Sequence, residues 1–200
     1  MCKIGDLGEA INIINAEFRK INQQWQKDHP CNKVNLKKRC VNSIIDGDDV
    51  WNAILKYSYF LKSCEQKLEK VLKQRISNIF DIYSRVKAEA SIEDKIQRYK
   101  NKELERGKIP INKCLNDIYG IRIVMKNQIT KEQIEKIVVN LKLIDASKDE
   151  YKALHIYFKD GNFNFPWELQ LWNKEDERSN QKSHEKYKQD YLKELFEMEK

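Results

Sequence analysis

Leu115 to Met125 reads LNDIYGIRIVM, and Trp167 to Trp172 reads WELQLW. Each is a short β-branched or apolar run with one carboxylate at its margin, Asp117 in the first and Glu168 in the second. Side chains along such a run alternate between two faces, which makes both runs strands. Two carboxylates at neighbouring strand ends can hold a divalent cation, which favours oxygen ligands and, if magnesium, usually meets a phosphate-bearing substrate as well. The plain alternative is a pair of ordinary strand-end acids. Around them stand cations suited to phosphate: Arg85, Lys87, Lys95, Arg98, Arg122, Lys152 and Lys188.

Working outward, the periodicity is helical before residue 80 and mixed after it. Ile11, Ile14, Phe18, Ile21 and Trp25 fall at helical spacing within 8–27, and Asp28-His29-Pro30 breaks that helix. The compact basic cluster Lys37-Lys38-Arg39 follows, then the turn Asp46-Gly47-Asp48-Asp49, then a long helical pattern over 50–79. A strand is predicted over 82–87, and Ser91 is expected to cap a helix over 92–106 that ends at Gly107. The first strong strand covers 118–125. Thr130, with Gln133 three residues on, opens a helix predicted to reach Leu143 through Ile134, Ile137, Val138 and Leu141. Strands over 151–158 and 165–171 are joined by a hairpin turn at Asp160-Gly161-Asn162, and 174–200 reads as a charged helix.

This order specifies an α/β (α+β) fold, a mixed β-sheet of about four to five strands flanked by helices. The predicted division is an N-terminal helical region, 1–79, packing on a core at 80–200 that ends in a C-terminal helix. A chain of 200 residues with 40% apolar and 34% charged residues can build such a core and is not disordered. No apolar run is long enough to span a membrane and no signal core opens the chain, so a cytoplasmic location is expected. The five cysteines include no CxxC pair, which favours reduced thiols over disulfides or zinc. A net charge of +7 favours anionic partners such as nucleotides or RNA. There is no GxxxxGK[ST], GxGxxG, GxSxG or HExxH motif, and His29 is the only histidine in the helical region. A phosphohydrolase centre of histidine and aspartate cannot be built there.

Arg85 and Lys87 share a strand face, and Ser91 at a helix start adds a hydroxyl beside free amides, which makes an anion site. Arg122 can stack on a base or neutralise phosphate, and Gly120 leaves room for close approach. Tyr151 can stack on a nucleobase, Glu168 shares a face with Gln170, and His184 shares one with Tyr187.

RVK with SIEDK, then DIYGIR, YKALH, ELQ and HEKYK form an ordered set that resembles the synthetase domain of the RelA/SpoT family. Members of that family are alarmone synthetases, which move pyrophosphate from ATP to the 3′-hydroxyl of GDP or GTP. The resemblance implies a nucleotidyltransferase-like sheet, Mg2+ on Asp117 and Glu168, and help from Glu168 in activating the acceptor. It implies Arg85 and Arg122 around the donor adenine, with Lys87, Ser91 and Lys95 along the donor phosphates. Tyr151 would stack on the acceptor guanine, with Lys152, His155 and Gln170 also on the acceptor side. The match covers 81–188, and it implies a synthetase without the hydrolase half. Where the family has GYRSLH and EIQIRT, this chain has EYKALH and ELQLWN, with Trp172 in place of the arginine. These departures leave ATP better supported than the acceptor. The second reading is therefore a toxin-type relative that pyrophosphorylates the 3′ end of tRNA, with Lys37, Lys38 and Arg39 as its first contacts. An antitoxin protein and a homo-oligomer are further expected partners that the sequence pattern itself does not decide.

Overall fold

The computed structural model describes residues 4–31, 33–76, 79–101, 104–126 and 128–186. Tyr187, Lys188 and the rest of the expected C-terminal helix lie outside the described residues. Helices α1 (Ile4–Asp28) and α2 (Asp49–Ile76) come first, followed by β1 (Asp81–Val86) and α3 (Glu89–Asn101). The short helices α4 (Leu104–Gly107) and α5 (Ile111–Cys114) lead into β2 (Tyr119–Met125). After them come α6 (Lys131–Glu135), β3 (Lys142–Asp145), β4 (Leu154–Phe158) and β5 (Trp167–Asn173), and a helix over 177–186, α7, closes the described chain. No helix among these residues is long and apolar enough to cross a membrane.

The five strands form one mixed sheet in the order β1-β2-β5-β4-β3. β2 and β5 run parallel, and every other neighbouring pair is antiparallel. The register sorts the side chains sharply, because residues directly opposite each other share a face. Ile82, Val86, Tyr119, Ile121, Ile123, Ile156, Phe158, Trp167, Leu169 and Leu171 lie on one face and are buried. That face rests on α1 and α2, whose buried stripe includes Leu7, Ile14, Phe18, Trp25, Ile54, Tyr57 and Leu61. Phe18 meets Trp167 edge to face, with centroids 5.5 Å apart.

Tyr57 and Asn22, buried in this core, are joined to Trp167 by a relay of hydrogen bonds. Trp167 Nε1 donates to Tyr57 Oη (3.1 Å), Tyr57 Oη donates to Asn22 Oδ1 (3.0 Å), and Asn22 Nδ2 donates to the Phe18 carbonyl (3.0 Å). A buried group left without such a partner would cost about 1–3 kcal/mol, so this relay fixes how the helices seat on β5.

Three sequence expectations change. The helix expected over 130–143 has the predicted start, since Thr130 and Gln133 form a complete capping box. It ends at Glu135, and Asn140 takes a φ of 66°, the left-handed conformation in which asparagine is tolerated. Residues 142–145 then pair with β4 as an edge strand, an outcome set by tertiary pairing and not by periodicity. Ser91 is not the cap of α3: the helix begins at Glu89, with the Ile92 amide donating to the Ala88 carbonyl (3.0 Å). The strand expected over 151–158 begins at Leu154. Its first residues are held instead by Asn180 on α7, which accepts from the Lys152 amide and donates to the Lys152 carbonyl, both at 2.8 Å.

Candidate active site

The opposite face of the sheet collects the chemistry. Arg85 sits opposite Gly120, and Gly120 opposite Glu168; Tyr83 sits opposite Arg122, and Arg122 opposite Gln170. On the far side of β5, Glu168 faces Tyr157 and Gln170 faces His155. A Cβ placed on Gly120 would meet nothing within 4 Å, so an open gap lies between Arg85 and Glu168.

Asp117 stands just before β2. The β1–β2 ladder extends one step beyond the strands, with the Lys87 amide donating to the Ile118 carbonyl (2.8 Å), and this brings Lys87 Nζ to 2.5 Å from Asp117 Oδ2. From α3, Lys95 Nζ donates to Asp117 Oδ1 at 2.9 Å and to Asn116 Oδ1 at 3.3 Å. The three charged side chains are only 14–17% exposed. Burial alone would raise the Asp117 carboxyl, but the Lys95 and Lys87 charges outweigh it and hold the group well below the usual carboxylate range.

Glu168 is buried with both oxygens engaged. Tyr157 Oη donates to Oε1 (2.9 Å), His155 Nδ1 lies 3.1 Å from the same oxygen, and Gln170 Nε2 donates to Oε2 (2.8 Å). Burial pushes Glu168 up, while the His155 hydrogen bond and charge pull it down; Asp117 opposes and Gln170 assists, and the net shift is downward. Asp117 acts on Glu168 as a neighbouring like charge. Between them these carboxylates offer the oxygen donors that magnesium takes, and magnesium is commonly held by one or two carboxylates with phosphate oxygens completing its shell. Among the described residues no group of three or more histidine, cysteine, aspartate or glutamate side chains is placed to hold a metal.

Arg122 donates to Gln170 Oε1 through Nη2 (3.2 Å) and Nε (3.4 Å), and its guanidinium carbon lies 3.4 Å from the centre of the Trp172 ring. Trp172 is fully buried; its Nε1 donates to Tyr151 Oη (3.3 Å), and His184 stacks near-parallel to it at 5.5 Å. Tyr151 Oη also lies 3.0 Å from His155 Nε2, and burial pushes the phenol up to about 12.

Sequence reasoning named Asp117, Glu168, Arg85, Lys87, Lys95, Arg122, Tyr151, His155 and Gln170, and the fold places all of these on or beside one face. Ser91 is exposed in the first turn of α3. Lys152 is placed apart. Its Nζ pairs with Asp176 Oδ1 at 3.5 Å, and it lines a cavity of about 240 Å³ with Met125, Leu154 and Leu171, residues from the other face of the sheet. That cavity and the chemistry are in different places. Lys37, Lys38 and Arg39 are exposed in a turn capped by Asn35, whose Oδ1 accepts from the Lys37 and Lys38 amides at 3.2 and 3.1 Å.

Tyr157 had not been singled out, and Trp172 only as a departure from the resembled family's motif. Strand alternation carries the signal for both, since each lies two residues beyond an assigned side chain, His155 or Gln170. Lys113, Lys142 and Lys159 were also missed, whereas Lys37 was named. Lys159 is shifted down first by burial and then by the charges of Lys37, Lys113 and Lys142, all of which are exposed.

No family model matches the chain, and no curated protein matches it. Among solved structures it is similar to the small alarmone synthetase 1 from Bacillus subtilis, with 21% identity over 68% of this chain and 81% of the other and a TM-score of 0.43. It is similar to the small alarmone synthetase 2 from the same organism, with 21% identity over 71% and 82% and a TM-score of 0.42. The same synthetase 1 bound to AMPCPP gives 20% identity over 68% and 81%, with a TM-score of 0.42. Superpositions this loose say nothing by themselves about chemistry.

Proposed function

We propose that the protein transfers pyrophosphate from ATP to the 3′-hydroxyl of GDP or GTP. The observation that carries this reading is Asp117, clamped by Lys87 and Lys95, beside Glu168 on the neighbouring parallel strand, with Arg85 and Arg122 on the same open face. The acceptor hydroxyl oxygen attacks the β-phosphorus of ATP, the bond from that phosphorus to the α–β bridging oxygen breaks, and AMP leaves while the hydroxyl proton passes to solvent. Such a transfer needs positioning and charge neutralisation more than covalent help from the protein.

Arg85 and Arg122 take the donor base, and Lys87 and Lys95 exchange Asp117 for donor phosphates. Asp117 and Glu168 are the residues that would hold a magnesium ion, which would supply neutralisation of phosphate charge there. Tyr157, His155 and Gln170 already engage both Glu168 oxygens, so Glu168 serves to orient the acceptor more than to take its proton. Tyr151 and His155 form the acceptor side.

The lysine group favours a second acceptor, the 3′ end of an RNA such as tRNA. Lys142 Nζ lies 5.9 Å from the centre of the Tyr157 ring, and Tyr157 donates to Glu168, so Lys37, Lys113, Lys142 and Lys159 extend a positive surface from the acceptor side of the site. Polyanion backbones bind such surfaces.

The experiment is one incubation with magnesium and β-labelled ATP, offered GDP, GTP and deacylated tRNA separately. Label in a guanosine tetra- or pentaphosphate supports the first reading, and label on tRNA the second. Label in neither overturns both.

A further inference from the structure

We propose that Trp172 is a positioning residue that ties the donor side of the site to the acceptor side. The inference rests on the reading above for which substrate lies on which side. Trp172 is fully buried on the active face and touches each side through a different part of its ring. The guanidinium of Arg122 lies flat enough over the indole to bring its carbon within 3.4 Å of the ring centre, an interaction worth about 0.5–2 kcal/mol. The indole N–H, a donor with no acceptor role, is directed to Tyr151 Oη at 3.3 Å.

Each partner is held a second time from the same strand face. Arg122 donates to Gln170, which donates to Glu168; Tyr151 Oη meets His155, which meets Glu168. The donor arginine and acceptor tyrosine therefore belong to one closed circuit through Trp172, Gln170, Glu168 and His155. A bulky aromatic where the resembled family has arginine gives this chain a rigid spacer between its two substrates. Arg122 presents its free face to the donor base with its other face already stacked, so little ordering remains to be done on binding.

The two contacts separate by substitution. Trp172→Phe keeps a ring under Arg122 and removes the N–H. We expect the KM for the acceptor to rise about three- to tenfold, the loss of one hydrogen bond, with the KM for ATP within about twofold of wild type. Trp172→Leu removes both contacts and is expected to raise both KM values about tenfold. Binding of AMPCPP by calorimetry reads the donor half without turnover: it is weakened about tenfold by Trp172→Leu and unchanged by Trp172→Phe. Urea midpoints show which variants are folded; if Trp172→Leu is not, Trp172→Phe alone decides.

A Phe variant that matches wild type for the acceptor, or moves both substrates equally, overturns the role of Trp172. So does a folded Leu variant with unchanged AMPCPP affinity. Wild-type protein that binds AMPCPP but transfers nothing to any acceptor counts against the transfer reaction, while AMPCPP binding still decides whether Trp172 supports Arg122.

Discussion

Asp117 has two duties that mutagenesis cannot vary separately. It is a candidate magnesium ligand, and it is also the counter-ion of two lysines that are themselves nearly buried. Asp117→Asn removes the charge and leaves Lys87 and Lys95 facing each other without an anion. Breaking a buried ion pair from one side typically costs about 3–5 kcal/mol, so the variant loses stability as well as transfer, and a urea titration shows the loss. Glu168→Gln is the cleaner test of chemistry, because glutamine keeps an oxygen for Tyr157. The acid dependence follows from the same pairing. The folded-state pKa of Asp117 is depressed, so its contribution is complete above the ordinary carboxylate value of about 4 and is lost as pH falls toward the lower folded value. Wild-type stability should therefore decline from about pH 4 downward, and Asp117→Asn should flatten that decline. An equally steep decline in the variant would assign the acid sensitivity to other carboxylates.

Four of the five strands were legible from alternation, and so was the capping box at Thr130. Their neighbours were not. That Arg85 lies across from Gly120, and Gly120 from Glu168, depends on register between segments far apart in sequence, and no spacing rule supplies it. β3 was hidden because Ile134, Ile137, Val138 and Leu141 recur at helical spacing, while the pairing that makes 142–145 a strand comes from β4. Asn180 gave no signal at all, being one polar residue in a charged helix, yet it takes the place of a strand partner for Lys152. Gly107 was legible as a helix stop, but its contact was not. Its φ of 77° favours glycine, and a Cβ there would lie 2.9 Å from the Asn42 amide nitrogen and 3.2 Å from the Asn42 Cα. Backbone atoms in the turn Val41–Ser43 cannot step aside as a side chain would, since the Val41 amide is bound to the Ile109 carbonyl (2.9 Å). Gly107→Ala should cost about 2–3 kcal/mol in a urea titration, from strain and overpacking together, while leaving both KM values unchanged. A neutral result would mean that α4 shifts freely against that turn.

Across the whole molecule the sheet separates two environments, an apolar face sealed by α1 and α2 and an open face carrying the charge. The net charge of +7 says only that anions are favoured; the fold decides where. Lys37-Lys38-Arg39 stood out in the sequence because its charges are adjacent, whereas Lys113, Lys142 and Lys159 are scattered along the chain and meet only through α5, β3 and the loop after β4. A free guanine nucleotide needs no extended positive surface, whereas an RNA acceptor would lie along one. The substitutions Lys113→Ala, Lys142→Ala and Lys159→Ala are all at exposed positions, so the combined variant should fold as wild type does. If RNA is the acceptor, its KM should rise, and the slope of log affinity against log salt should fall by about 2–3, roughly 0.7–0.9 for each phosphate contact removed. Transfer to GDP or GTP should be unaffected in the same preparation. An unchanged salt slope with tRNA would remove these lysines from the acceptor path, and a matching loss with GDP would show that they act on the site itself and not on a polyanion.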